Sequence, residues 1–288
     1  MSKARELAQK PNQTTGRKNL IINGAMQVAQ RGTSFTTDNV YTLDRWSSGD
    51  GSGGSPARTL SQEVFSLGQT DVPNSHYYLR HNQTSASTNG NSSLVQNIEN
   101  VTQFDGNTVT LSFYAKANSA MTVNVRFIQD FGTGGTPSSD VTLTESVSIG
   151  TGWAKYTVTK TLGSLSGKTL GTDGIHTSFL SINIELTPTT TFTFDITHVQ
   201  LEVGSVATEF EHRFYGEELA LCQRYYFELK SSQYSYGENK HFNFHPEMRT
   251  APTVTVLAGS ATLNRNRVQF ITFNSYTGDT RFSADAEL

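Results

Sequence analysis

Tyr77 and Tyr78, Tyr234 and Tyr236, and Tyr276 are the side chains whose type and setting best suit recognition chemistry. Each has polar neighbours, chiefly Ser, Thr, Asn, His or Gly. An aromatic face offers apolar contact, and nearby amides and hydroxyls offer directional hydrogen bonds. That pairing suits a polyhydroxylated ligand. Tyr234 and Tyr236 lead the group, because QYSYGEN (Gln233 to Asn239) is a glycine-containing loop with no core pattern; packing at a subunit seam is the competing reading. Trp46 and Trp153 are further candidate platforms, with burial in a core as their alternative.

Catalytic patterns are missing from the sequence. There is no nucleophile elbow and no HExxH, and the glycines from Gly49 to Gly54 are not followed by the Lys-Ser/Thr that holds a phosphate. His241 and His245 would share a strand face and read as surface residues. No Asp or Glu pair stands out for glycan hydrolysis. The chain is therefore expected not to be an enzyme.

Positioning such rings takes a scaffold, and the composition indicates which kind. Of 288 residues, 35% are hydrophobic and only 16% charged, the balance lying in small polar residues and glycine. That is the make-up of short strands joined by many turns. Seventeen Phe, eleven Tyr and two Trp supply a core. A net charge of −3 with no basic run argues against a nucleic-acid partner. No apolar run approaches the ~20 residues that span a bilayer, and the polar MSKARELAQK does not read as a signal peptide. The single cysteine, Cys222, excludes an internal disulfide and reads as a small apolar group on a helix face.

Alternation places strands at Ala57 to Leu67, His76 to Asn82, Ser92 to Glu99, Thr108 to Lys116, Met121 to Phe131, Val141 to Ile149, Trp153 to Val158, Phe179 to Leu186 and Phe192 to Val203. With earlier segments from Asn19 onward, these predict an all-β jelly-roll sandwich over residues 18–213. In the last strand Phe192, Phe194 and Ile196 alternate, but Val199, Leu201 and Val203 do so with opposite parity. Either Thr197-His198 forms a bulge that resets the phase, or the strand lies between two packed layers. Residues 1–17 read as an anchoring segment with a short helix over 2–10. Residues 214–288 read as a helix, Glu217 to Glu228, with Leu219, Cys222 and Tyr226 on one face, followed by a small β unit. That unit has alternating Phe242 and Phe244, Val254 and Val256, Val268 and Phe270, and Phe282, Ala284 and Ala286. So few apolar positions make a thin core, so a homotrimer is expected to complete it.

VQLEVGSVATEFEHRFYGEELALCQRYYFE resembles the segment that ends the sandwich in bacteriophage tail-fibre and receptor-binding proteins. KNLIINGAMQVAQRGTSFTT with YTLDRW resembles the start of that domain, and MRTAPTVTV with FSADAEL resembles the C-terminal fibre tip. The resemblance implies a virion tail protein that is trimeric. It would dock on a tail or baseplate protein through its N-terminus and recognise host surface glycans. This chain begins almost at the sandwich, which fits a short terminal fibre or, alternatively, a structural decoration of tail or capsid. Jelly-roll carbohydrate-binding modules, which the domain also resembles, often hold a structural Ca²⁺ near their last strand. That likeness makes Asp195 a candidate metal ligand, the only cofactor expected.

Overall fold

A strand that alternates apolar and polar residues buries one face, and nine of the segments above do so against a shared interior. The computed structural model describes residues 17–50, 57–86, 92–186, 189–230 and 240–288; the segment predicted as an N-terminal helix lies outside them. The sandwich strands are β1 (Ser34–Phe35), β2 (Ser47–Asp50), β3 (Arg58–Val64), β4 (Tyr77–Gln83), β5 (Ser92–Glu99), β6 (Thr108–Ala117), β7 (Met121–Asp130), β8 (Val141–Ile149), β9 (Ala154–Thr161), β10 (Phe179–Leu186) and β11 (Phe192–Val203). One sheet has the order β1-β3-β4-β11-β6-β9 and the other β2-β5-β10-β7-β8. The antiparallel pairs are nested: β4 with β11, β5 with β10, β6 with β9 and β7 with β8. That nesting is a jelly roll.

The inward residues are the predicted ones. Val109, Leu111, Phe113 and Ala115 of β6 and Val123, Val125 and Phe127 of β7 are fully buried in one cluster. Trp46 joins them and donates its indole N–H to the Asn23 carbonyl at 3.1 Å, so it is a core residue and not a binding platform. The parity conflict in β11 is resolved by a bulge. Thr197 pairs with Tyr114 and Gln200 with Ser112, so His198 and Val199 together stand opposite Phe113. The extra residue turns Val199 and Leu201 into the same core as Phe194 and Ile196. Gly24 packs against the bulge, where its carbonyl accepts the Val199 N–H at 3.0 Å; a Cβ at Gly24 would lie 2.1 Å from the Val199 carbonyl oxygen.

The helix is shorter than predicted. α1 spans Tyr215–Gln223 and buries Glu218, Leu221 and Cys222. Glu218 turns inward because the Asn23 N–H, at 2.6 Å, and Arg213, at 3.2 Å, hold its carboxylate. Tyr226 belongs instead to β12 (Tyr226–Lys230), pulled out of the helix by pairing with β15 (Phe270–Asp285). β13 (Lys240–Asn243) and β14 (Thr253–Asn266) complete this second sheet. Its interior holds Phe244, Met248, Ile271, Phe273, Phe282, Ala284 and Ala286. Val268 and Phe270 were expected inside, but Ile271 and Phe273 take that face of β15, and Val256 is exposed.

The C-terminal residues close the unit onto the sandwich. The Glu287 carboxylate sits between Arg45 and Arg31, the latter at 3.3 Å, and Tyr41 donates its hydroxyl to the Leu288 carbonyl at 2.7 Å. Arg31 and Arg45 lie 3.6 and 3.5 Å above the rings of Tyr226 and Tyr225. In the segment Phe282 to Leu288, Asp285 and Glu287 are paired with Arg31 and Arg45 of the sandwich. Among the described residues no helix is long and apolar enough to cross a membrane.

Candidate functional site

The outward faces of β4, β11 and β6 carry polar and aromatic residues in register. Tyr78 and Arg80 alternate with buried Leu79 and His81 on β4. Arg80 pairs with Asp195 of β11, and Asp195 with Lys116 of β6. The Arg80 guanidinium grips Asp195 through two bonds, Nε to Oδ1 at 2.8 Å and Nη2 to Oδ2 at 2.9 Å. Lys116 Nζ stands 3.8 Å from the same carboxylate. The Asp195 hydrogen bond raises the Arg80 guanidinium above its ordinary value. This bidentate pair fixes Arg80, which also donates to the Tyr78 hydroxyl at 3.3 Å.

Beside this pair three rings close on one another. Phe65, just after β3, lies 4.8 Å from Tyr78 and 5.2 Å from Trp153, centroid to centroid, and Tyr78 meets Trp153 edge-on at 5.4 Å. Lys116 Nζ lies 5.3 Å from the Trp153 ring centre. All three rings are half-buried, leaving part of each to solvent. Burial raises the Tyr78 hydroxyl above its usual value, against the lowering effect of Arg80.

Of the predicted site residues, Tyr78 and Trp153 meet here. Tyr77, its neighbour, faces the other way and packs against the sandwich core. Tyr234 and Tyr236 lie outside the described residues, as does the side chain of Tyr276, whose backbone pairs with Ala261. Asp195, the candidate calcium ligand, has both oxygens engaged by Arg80, and Lys116 stands 3.8 Å from the same carboxylate. Among the described residues no group of three or more His, Cys, Asp or Glu is placed to hold a metal. Phe65, Arg80 and Lys116 were missed. Their signal is long-range pairing, which a single sequence does not display. Replacing Asp195 by Ala strands Arg80 and Lys116 on the sheet face; the pair is part-exposed, so the expected loss is about 2 kcal/mol, measured by denaturant unfolding.

A second feature lies where the bulge meets the chain leaving β11. His198 is 3% exposed, its ring stacked on Phe210 at 4.2 Å with an interplanar angle of 4° and edge-on to His212 at 5.0 Å. Burial, then His212, then Lys155 push the His198 imidazole down to about 3. His212 is lowered by burial and then by His76. A cleft of about 430 Å³ opens against these rings.

No protein-family model matches the chain, and no curated protein sequence matches it. Among solved structures it is similar to the enzymatically active domain of tailspike protein 4 from bacteriophage CBA120, at 14% identity and TM-score 0.41, over 65% of this chain and 21% of that one. It is similar to the family 11 carbohydrate-binding module of Clostridium thermocellum, at 16% identity and TM-score 0.36, over 61% and 98%. The xylan-binding domain CBM22-1 of Paenibacillus barcinonensis gives 9% identity and TM-score 0.37, over 67% and 100%. At these scores none of the likenesses assigns a ligand or an activity to this chain.

Proposed function

We propose that this protein binds glycans on its six-stranded sheet, without cleaving them, as a receptor-binding protein of a phage tail. The observation that carries the binding reading is the trio Phe65, Tyr78 and Trp153, set beside a fixed Arg80–Asp195 pair on an open strand face. Ring faces contact the C–H surfaces of a sugar, and the pinned charged groups bond its hydroxyls. The tail location rests on the sequence resemblance alone. A homotrimer is part of the same proposal. It is supported by Val256, Leu257 and Leu263 of β14, which are 36%, 44% and 41% exposed on the small second sheet. The N-terminal segment would then hold the trimer to a tail or baseplate protein.

Retention on immobilised host polysaccharide tests the reading. Trp153→Ala and Tyr78→Ala are each expected to weaken retention about tenfold or more, with folding unchanged by circular dichroism. Undiminished retention in the Trp153→Ala, Tyr78→Ala double variant would remove the sheet face from the proposal. A folded trimer that retains no glycan favours the alternative, a structural decoration. Release of oligosaccharide would show an enzyme instead.

A further inference from the structure

We propose that the cleft beside the β11 bulge is a second binding site, separate from the aromatic trio, for one uncharged sugar residue. The ligand class rests on the glycan reading above, but the residues and the test are different. The cleft, of about 430 Å³, falls within the ordinary range for small-molecule sites, about 300–1,000 Å³. It lies between the turn before β4, the bulge, and the segment that leads into α1.

Three observations converge on it. His198 holds a backbone φ of 51°, a left-handed value that a non-glycine residue adopts at a cost and that recurs at functional sites. Its ring lies in the wall of the cleft, and its buried Nε2 has no hydrogen-bond partner among the described residues. At the mouth, Phe214 and Tyr215 are 91% and 55% exposed, and they present rings next to a polar cavity.

The charges around the cleft select the ligand. Arg213, from the segment before α1, is paired with Glu211 at 2.9 Å and with Glu218 of α1 at 3.2 Å. Lys155 of β9 donates to the Thr208 carbonyl at 2.8 Å. What remains to face a ligand is His76 before β4, His198, His212, the Asn74 amide and the two rings at the mouth. Tyr77 of β4 also lines the wall, and Tyr114 of β6 meets the His198 ring edge-on at 6.0 Å. Burial holds the His198 and His212 imidazoles against protonation, and a neutral imidazole offers one donor and one acceptor, which sugar hydroxyls match. A carboxylate would find Arg213, the arginine that lines the cleft, already taken by two acids. A neutral pyranose stacked on Phe214 or Tyr215 would set its hydroxyls against the imidazoles and the Asn74 amide that line the cleft.

The test is an NMR titration of the whole chain at pH 7.5 with a panel of neutral methyl pyranosides (gluco, galacto, manno and N-acetylglucosamine) and with glucuronate. At least one neutral glycoside is expected to shift the ring signals of His76, His198 and His212 in a saturable way. Phe214→Ala should weaken that response at least tenfold, since an exposed ring is removed without touching the core. Trp153→Ala should leave it unchanged while reducing polysaccharide retention, which separates the two sites. If no panel member moves the imidazole signals, if only glucuronate does, or if the response survives in the Phe214→Ala, Tyr215→Ala double variant, the cleft is not this site. Failure of the trio reading would show in retention alone and leave the titration intact.

Discussion

Glu287→Ala is expected to destabilise the protein by about 3–5 kcal/mol, the range for breaking a buried ion pair from one side. The Glu287 side chain is 4% exposed and bridges Arg31 and Arg45, which are 10% and 1% exposed. Arg31 keeps Asp285 at 3.1 Å and suffers less. Arg45 keeps the Asn97 carbonyl and the Tyr225 ring but loses the one carboxylate paired with it among the described residues. An uncompensated guanidinium at the seam between the sandwich and the second sheet therefore dominates the loss. In calorimetry this corresponds to a fall of roughly 5–8 °C in Tm. Glu287→Gln preserves shape and one acceptor, and should recover about half. A loss below about 1 kcal/mol for the alanine variant would mean that this seam contributes little.

The second large effect is acid sensitivity. His81 is completely buried, and burial followed by Arg58 pushes its imidazole down to about 3; His198 is pushed equally low. A folded value below the unfolded one, about 6.5, means the unfolded chain takes up protons that the folded chain refuses. The contribution of both groups is therefore whole above pH 6.5 and is lost as the pH falls from there toward 3. Well below pH 6.5 each histidine contributes a loss of about 1.4 kcal/mol per pH unit, so that between pH 6 and 5 the pair together lowers stability by about 2 kcal/mol. Urea midpoints measured from pH 7.5 to 5 check this. His81→Gln should halve the slope, at some cost at neutral pH from the lost 2.9 Å bond between His81 and Ser92. A flat profile over that range would show that both rings protonate freely in the folded protein.

Some of this protein was written in local pattern. The bounds of β5, β8, β10 and β11 follow from alternation alone, because a strand with one face in a core has a period of two. The opposed parities of Ile196 and Val199 left a bulge or a strand between two packed layers as the readings, and the tertiary structure decided for the bulge. Cys222 read correctly as a buried group on a helix face.

Other features depend on which strands become neighbours. Asp195 looked like an isolated acid in an apolar strand; only the pairing of β11 with β4 and β6 puts Arg80 and Lys116 on either side of it. Trp46 and Trp153 have equal claims in sequence, yet one is core and the other lies beside Tyr78. The run from Glu217 to Glu228 carries a helical pattern to its end, but β15 offers Tyr226 a ladder partner and Arg31 covers its ring, so a strand wins. Local residue preferences, worth tenths of a kcal/mol each, decide where strands and turns begin. Contacts between residues distant in sequence decide which side chains share a face: Arg80 meets Asp195 115 positions on, and Trp153 meets Tyr78 across two strands that are not neighbours in the chain.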